Sequence, residues 1–219
     1  MKLVADKVGY KYYRKNKKIL FELQETVLNP VEGELTEIVG HSGSGKSTLL
    51  NICAGLLTPD AGRVLAGDKD LYSLSDEERS RFRNRHIGII PQGQSVLKHL
   101  TVKENILLPI SMYRDDVPEK LLGELIDSLG LKKLENEPAG GLSGGEMRRV
   151  AIARALIGEP EIILADEPTS DLDADNRKLV LTSLKKIAKE GKTVIMVTHD
   201  REAEEYADSI LKMDGGKLI

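Results

Sequence analysis

The sequence of 219 residues predicts an α/β protein, with a mainly parallel sheet and flanking helices, an inserted helical subdomain and a small N-terminal antiparallel sheet. Short apolar runs alternate with helical patterns at both ends of the chain, as in a parallel sheet covered by helices. Residues 95–158 instead offer helical patterns and no convincing strand. No repeat and no linker rich in Pro, Gly or Ser interrupts the chain, so we expect one domain over 1–219. Its core would comprise about 1–94 and 159–219, and the helical subdomain about 95–158.

The core strands are predicted from short apolar runs that are bounded by Gly, Pro or charged residues. These runs predict strands at 35–39, 87–91, 161–165 and 193–197, with helices at 46–55 and 174–189. Strands predicted at 3–13 and 63–66 would form the antiparallel sheet. Thr36 and Glu37 interrupt the first core strand, which makes it unusually polar for a buried strand.

A Ser/Thr-x-x-Glu pattern marks the predicted start of several helices. In this capping box the hydroxyl accepts from the backbone N–H three residues later, and the Glu carboxylate accepts from the N–H of the first residue. The pairs are Ser75 with Glu78, Thr101 with Glu104, and Ser143 with Glu146.

Charge and composition exclude several classes of protein. Lys and Arg total 32 against 35 Asp and Glu, so no overall positive field is available to hold a nucleic-acid backbone. The N-terminus lacks the apolar stretch of a signal peptide, and no run approaches the ~20 apolar residues of a membrane helix, so any membrane role must come through a partner. The single cysteine, Cys53, cannot form an internal disulfide and predicts a buried thiol in a reducing cytoplasm.

The strongest motif is GHSGSGKST, which fits G-x-x-x-x-G-K-[ST] between a predicted strand and a predicted helix. Glycines let the backbone curl so that its N–H groups and the helix N-terminus surround phosphate oxygens, while Lys46 reaches the terminal phosphates and Ser47 can ligate Mg²⁺. The residues of this loop that we expect to bind nucleotide are Gly40, His41, Ser42, Gly43, Ser44, Gly45, Lys46, Ser47 and Thr48.

A second motif, EIILADEP, delivers Asp166 and Glu167 at the end of a buried strand, at the sheet edge where α/β proteins bind ligands. Adjacent acids after a strand are often only a solvated loop, but the phosphate-binding loop favours a functional interpretation. Asp166 is then the Mg²⁺-binding partner of Ser47, and Glu167 is the base or positioning group for an attacking water.

The run LSGGEMRRVAIARAL at 142–156 resembles the signature motif of the ABC ATPases. The resemblance covers nearly the whole chain, because GHSGSGKST, Gln92 after GIIP, the signature, the acidic strand end, SDLD and His199 in VTHD follow in that family's order. It implies that one subunit's signature covers the γ-phosphate of ATP held by the other subunit of a head-to-tail homodimer. The signature residues concerned are Ser143, Gly144, Gly145 and Glu146.

The resemblance also implies roles for residues outside the signature. His199 would contact the γ-phosphate, and Gln92 would take part in catalysis and join Ser47 and Asp166 around Mg²⁺. An N-terminal aromatic ring would stack on adenine, for which Tyr12 matches best and Tyr10 and Tyr13 are alternatives.

Glu146 stands where the family most often has Gln, and Asp171 is an extra charge in SDLD, where SALD is commoner. Glu146 can complete a capping box but brings negative charge near phosphate. Asp171 is expected to be a solvated surface residue, whereas Asp173 matches the acid that bridges the two subunits in the family.

The implied function is ATP hydrolysis that drives a separate membrane-spanning permease, with the chain cytoplasmic and peripheral on the inner face of the cell membrane. RFRNRHIGIIPQ and ENILLPISMYR are most similar to the macrolide-efflux, lipoprotein-releasing and cell-division ATPases. Apolar residues between 97 and 112 predict the core of the helical lobe and part of a groove for the permease. One alternative stays open, a soluble ABC ATPase of iron–sulfur assembly. A non-catalytic ATP-binding module is disfavoured, because Lys46, Asp166, Glu167 and His199 are all present.

Overall fold

The computed structural model describes residues 1–15, 18–93, 95–113 and 117–219. The strands are β1 (Leu3–Tyr13), β2 (Ile19–Leu28), β3 (Leu35–Val39), β4 (Ala61–Ala66), β5 (Lys69–Asp70), β6 (Ile87–Ile90), β7 (Ile162–Asp166), β8 (Thr193–Thr198), β9 (Ser209–Asp214) and β10 (Lys217–Leu218). The helices are α1 (Lys46–Cys53), α2 (Asp76–His86), α3 (Val102–Ser111), α4 (Glu119–Ser128), α5 (Gly144–Leu156) and α6 (Ala174–Lys189), with 3₁₀ turns at Lys132–Leu134, Ala139–Gly141 and Arg201–Tyr206. Across the described ranges, every helix is too short or too polar to span a bilayer.

The larger sheet has the strand order β10-β9-β3-β8-β7-β6, and all of its pairs except β9 with β10 are parallel. The neighbours β3, β8 and β7 therefore end at the same edge of the sheet. Gly40, His199 and Asp166 come to this edge, although they are far apart in the sequence. The predicted parallel sheet is confirmed.

Both faces of this sheet are covered, which explains why its strands are apolar runs and do not alternate with polar residues. Ile38 and Ile195 point into the core formed with α1 and the second sheet, and Leu35 and Met196 point into the core formed with α5 and α6. Cys53 lies in the first of these cores, where burial raises the pKa of its thiol to about 12. The predicted buried thiol is confirmed.

The second sheet is antiparallel, with the order β2-β1-β4-β5. It confirms the strands predicted at 3–13 and 63–66 and adds β2 and β5, which had not been predicted. In β2 most residues are exposed, with Leu23, Thr26 and Leu28 buried, so the strand lacks a continuous apolar run. Irregular register between β1 and β2 further interrupts the alternation.

All three predicted capping boxes are present, at the starts of α2, α3 and α5. Within the predicted helical region, Val102, Ile106 and Ile110 of α3 are buried, as expected for the core of that region. Helix α3 packs against α5, which carries the signature motif.

The polar residues of β3 have different environments on the two faces of the strand. The Ser209 hydroxyl donates to the Thr36 hydroxyl at 3.0 Å, so the neighbouring strand β9 provides a hydrogen-bond partner for the Thr36 side chain. Glu37 is fully buried, and neither carboxylate oxygen has a hydrogen-bond partner among the described residues. Burial, followed by the negative charges of Glu204 and Asp200, raises the pKa of Glu37 to about 7.

Candidate active site

The loop Gly40–Thr48 joins the end of β3 to the start of α1, and close packing around it explains two of its glycines. At Gly40 a Cβ atom would lie 2.2 Å from the Met213 carbonyl oxygen, which no side chain permits. Gly45 has φ 108°, and a Cβ there would lie 2.8 Å from the Phe21 ring. The backbone of the loop can therefore approach its neighbours and a ligand more closely than other residues would allow.

Several donors of this loop lack a strong acceptor. The Lys46 ammonium donates to the carbonyl oxygens of Gly40 at 2.7 Å and His41 at 3.1 Å. The buried Ser44 hydroxyl has no hydrogen-bond partner among the described residues. Helix α1 has Gly45 as its N-cap residue, with no side-chain cap and no acidic residue in its first turn, so its free N–H groups carry a partial positive charge. These groups together fit a phosphate chain.

At the end of β7, Asp166 Oδ1 accepts a hydrogen bond of 3.0 Å from the Ser47 hydroxyl. Burial raises the pKa of Asp166, although the hydrogen bond from Ser47 opposes this effect. A carboxylate and a hydroxyl held together are hard oxygen ligands of the kind that Mg²⁺ prefers beside phosphates. The residues present therefore fit a magnesium ion.

Glu167 follows directly and is almost completely buried. Its backbone lies in the left-handed region with φ 47°, and its N–H donates to the Val197 carbonyl at 2.9 Å. His199 Nδ1 lies 2.9 Å from Glu167 Oε1 and 2.8 Å from Oε2, and the Thr198 hydroxyl donates to Oε2 at 3.3 Å. The imidazole itself is 69% exposed, so it links a buried carboxylate to the open side of the site.

These groups surround a cleft of about 900 Å³. Of the predicted site residues, the cleft is lined by all nine of the loop Gly40–Thr48 and by Tyr12, Gln92, Glu167 and His199. Asp166 lies behind Ser47 through their hydrogen bond. Tyr12, but neither Tyr10 nor Tyr13, is among the lining residues.

Sequence reasoning missed further residues of this cleft, namely Leu20, Phe21, Val39, Asp200, Arg201, Glu204 and Lys212. Phe21 lies on β2, and its ring centroid is 6.2 Å from that of Tyr12, so the two aromatic side chains border the same end of the cleft. The available signal was the aromatic residue in ILFELQ, but β2 had not been predicted as a strand. The residues after His199 could have been found from their proximity to VTHD.

The predicted signature residues lie elsewhere. The Ser143 hydroxyl accepts from the Glu146 N–H at 3.3 Å, and the Glu146 carboxylate accepts from the Ser143 N–H at 2.7 Å. These bonds, together with the one from the Ser143 hydroxyl, lower the pKa of Glu146. Ser143 and Gly144 are exposed, and none of the described residues lining the cleft comes from 143–146. The chain thus separates its signature from its own phosphate-binding loop.

The two acids of the SDLD segment also differ in environment. Asp173 caps α6, where its side chain accepts from the Asn176 N–H at 2.8 Å. Asp171 is exposed with φ 62°, as expected for a solvated surface residue.

Known proteins with the same sequence pattern and fold are ATP-binding proteins of transporters. The ABC transporter family model matches residues 23–170. A lipoprotein-releasing system ATP-binding protein of Rickettsia bellii is 41% identical and is covered over 99% of this chain and 97% of its own. A macrolide export ATP-binding/permease protein of Bartonella henselae is 41% identical over 90% of this chain and 30% of its own length.

Among solved structures, a dimeric ATP-binding cassette in a post-hydrolysis state with ADP and phosphate matches with a TM-score of 0.91. It is 35% identical and is matched over 99% of this chain and 96% of its own. The predicted resemblance and its subgroup are thus confirmed, and the transport ATPases among the relatives favour that interpretation over the iron–sulfur alternative. With its phosphate-binding loop, acidic strand end and signature on this fold, the chain belongs to the ABC transporter family as an ATP-binding, ATP-hydrolysing cassette.

Proposed function

We propose that two copies of this chain close head-to-tail around two ATP molecules and thereby drive a separate membrane-spanning permease. The observation that carries this proposal is the exposed position of Ser143 and Gly144, outside the cleft that contains the chain's own Lys46. The capping box uses the N–H groups of Ser143 and Glu146, but those of Gly144 and Gly145 at this exposed helix start make no hydrogen bond among the described residues and are suited to phosphate. A second chain is the simplest source of that phosphate, and the dimeric structural relative supports this arrangement.

Within each cleft we assign roles from the contacts described above. Lys46, Ser44 and the start of α1 would bind the terminal phosphates, and Tyr12 with Phe21 would border the adenine. Ser47, Asp166 and Gln92 would hold Mg²⁺, which when bound neutralises negative charge on phosphate oxygens.

Hydrolysis then depends mainly on positioning. The Glu167 carboxylate would orient the attacking water and accept its proton. His199 holds this carboxylate through Nδ1, and its exposed ring would contact the γ-phosphate. Because the signature comes from the other chain, an open dimer would lack half of each site and hydrolyse ATP poorly.

A groove between the predicted core and the helical region supports docking of a permease. Its volume is about 270 Å³, and its lining includes Asn84, Ile89, Pro109, Met112 and Tyr113. Met112 is 65% exposed and the adjacent Tyr113 is 44% exposed, so the lining of the groove offers neighbouring apolar side chains for a protein contact. The macrolide-export relative, whose name joins ATP-binding and permease functions, supports the same interpretation.

On this proposal the chain is one ABC ATPase domain, with the helical subdomain at about 95–158. It would work at the cytoplasmic face of the cell membrane through the permease.

The head-to-tail arrangement can be tested with two chains fused in tandem, one carrying Lys46→Ala and the other Ser143→Arg. In a head-to-tail pair one site combines both lesions and the other is intact, so part of the ATPase activity should remain. The control is a fused pair with both lesions in the same half, in which each site has one damaged side and activity should be lost.

The opposite pattern would contradict the proposal. If the signature served its own chain, activity would remain only in the pair with both lesions in one half. ATP binding, measured separately on each fused pair, shows whether the site that retains Lys46 is properly folded.

A further inference from the structure

Arg148 is an almost completely buried cation in the second turn of α5. Among the described residues it has no carboxylate within ion-pairing distance, and it donates only to neutral acceptors. Nη1 donates to the Pro91 carbonyl at 2.8 Å, and Nη2 donates to the Glu167 carbonyl at 3.2 Å and the Ser170 hydroxyl at 3.4 Å. Each arm of the guanidinium therefore reaches a different segment of the chain.

The carbonyl that Arg148 binds belongs to a residue with a strained backbone. Glu167 has φ 47°, a conformation that residues with a side chain adopt only when their surroundings enforce it. The Ser170 hydroxyl and N–H donate to the same carbonyl, at 3.0 and 3.3 Å. Arg148 and Ser170 thus hold the peptide group from which the Glu167 side chain projects toward His199.

The other arm binds the peptide group that leads directly into Gln92. One side chain of the signature helix is therefore connected both to the segment carrying the catalytic carboxylate and to the segment carrying Gln92. A lysine has a single ammonium in place of this fork, and cannot reproduce two divergent sets of hydrogen bonds.

We propose that Arg148 is a positioning residue for ATP hydrolysis, which fixes the backbone of Glu167 relative to Gln92 through the two arms of its guanidinium. Arg148 is not among the described residues that line the cleft. It acts through Glu167, so its loss should affect the chemical step far more than the binding of ATP. This inference deepens the proposed function, because it rests on the role assigned to Glu167.

The matched control is Arg154, which lies on the same helix. Arg154 donates through Nη1 to the Ser95 carbonyl at 2.9 Å and through Nη2 to the Ser95 hydroxyl at 2.7 Å. Burial lowers the pKa of both guanidinium groups, although Arg154 is only partly buried and, in the part of the chain that the structure describes, has no nearby carboxylate that opposes the effect, as Arg148 has. Arg154 has no contact with Glu167 or Pro91 among its hydrogen bonds in the described residues.

The test compares Arg148→Met, Arg148→Lys and Arg154→Met in ATPase assays of the chain without permease, together with ATP binding and thermal unfolding. We expect both Arg148 variants to lower kcat by at least ~10-fold while KM for ATP changes by less than ~3-fold. Arg154→Met should keep kcat within ~3-fold of wild type. Equal losses in Arg148→Met and Arg154→Met, or a loss confined to KM, would overturn the proposal.

A second measurement keeps the proposal testable if Arg148→Met does not fold. Ser170→Ala removes a donor to the same Glu167 carbonyl, and it should lower kcat with the same unchanged KM. In a Glu167→Gln background, neither Arg148→Lys nor Ser170→Ala should reduce the residual rate further, because the group that they position is already absent. Additive losses would instead show that Arg148 acts independently of Glu167. A Glu167→Gln protein with normal turnover would refute the role of Glu167 itself, which is a different result.

Discussion

The buried Glu37 predicts a pH dependence of stability that can be calculated from the structure. Its carboxylate lies in β3, the strand that ends at the phosphate-binding loop, without a hydrogen-bond partner among the described residues. Burial is the main reason that its pKa rises from 4.5 to about 7, and Glu204 and Asp200 add negative charge nearby. The folded protein therefore holds a proton that the unfolded chain releases between these two pH values.

The sign and size of the effect follow from this difference. Because the folded state binds the proton more tightly, the free energy of unfolding decreases as the pH rises from about 4.5 through about 7, and then levels off. Each pKa unit corresponds to about 1.4 kcal/mol, so the whole effect is about 3 kcal/mol. About 2 kcal/mol of it falls between about pH 5.5 and about pH 8.5. The free energy of unfolding of an ordinary domain is roughly 5–15 kcal/mol, so this change is a large share of the total.

The assay is urea unfolding of the nucleotide-free protein at a series of pH values, for wild type and Glu37→Gln. The amide has nearly the shape of the protonated carboxyl and does not titrate, so Glu37→Gln should gain stability relative to wild type as the pH rises. Glu25→Gln, which changes an exposed glutamate of β2, controls for the loss of one carboxylate from a strand. Parallel pH profiles for wild type and Glu37→Gln would refute the assignment of this titration to Glu37.

Three further predictions concern the site and the helix starts. Glu167→Gln should retain ATP binding but hydrolyse ATP at least ~100-fold more slowly in a steady-state assay, because the group that addresses the water is lost. Tyr12→Ala should weaken ATP binding about tenfold with little change in the saturated rate, whereas Tyr13→Ala, measured alongside, should bind normally. Ser75→Ala should lower the free energy of urea unfolding by about 1 kcal/mol and leave ATPase activity unchanged, because it removes only the capping box of α2.

The parts of the fold predicted correctly are those whose signal is local. The parallel strands are continuous apolar runs because both faces of the sheet are covered, and the helix starts are marked by hydroxyl and Glu pairs three residues apart. The missed strands β2, β5, β9 and β10 lie at or near sheet edges, where exposed polar residues interrupt the apolar pattern. In β9, for example, only Met213 is fully buried.

The candidate site shows the same division. Residues within a motif, such as Lys46 and Asp166, could be identified from the sequence because their chemistry requires fixed neighbours. Phe21 enters the cleft from a strand of the other sheet, and the aromatic residue in ILFELQ does not by itself indicate which site that strand borders. Arg148 stands inside the signature run, but its importance depends on which face of α5 packs against the end of β7. Only the tertiary structure shows that face.

Because Ser143 and Arg148 belong to the same helix and its cap, we expect the two sites of a dimer to communicate. Ser143 is the N-cap residue of α5 and Arg148 lies five residues later, which corresponds to about 7.5 Å along the helix axis. Ser143 would contact ATP in the other chain's cleft, while Arg148 holds the Glu167 of its own cleft. Contact at one site would therefore help to set the backbone of the catalytic residue at the other.

The fused pair with Lys46→Ala in one half and Ser143→Arg in the other tests this communication. Its intact site uses the Glu167 of the half that carries Ser143→Arg. The α5 that positions this Glu167 therefore starts at the substituted residue and no longer contacts ATP in the other cleft. We therefore expect the pair to hydrolyse ATP at clearly less than half of the rate of the unmodified fused pair. A rate of about half, which two independent sites would give, would show that α5 does not transmit the contact. Adding Arg148→Lys to the half that carries Ser143→Arg should then lower the remaining rate by a smaller factor than the same change in both halves lowers the rate of an unmodified pair, because part of the link has already been lost.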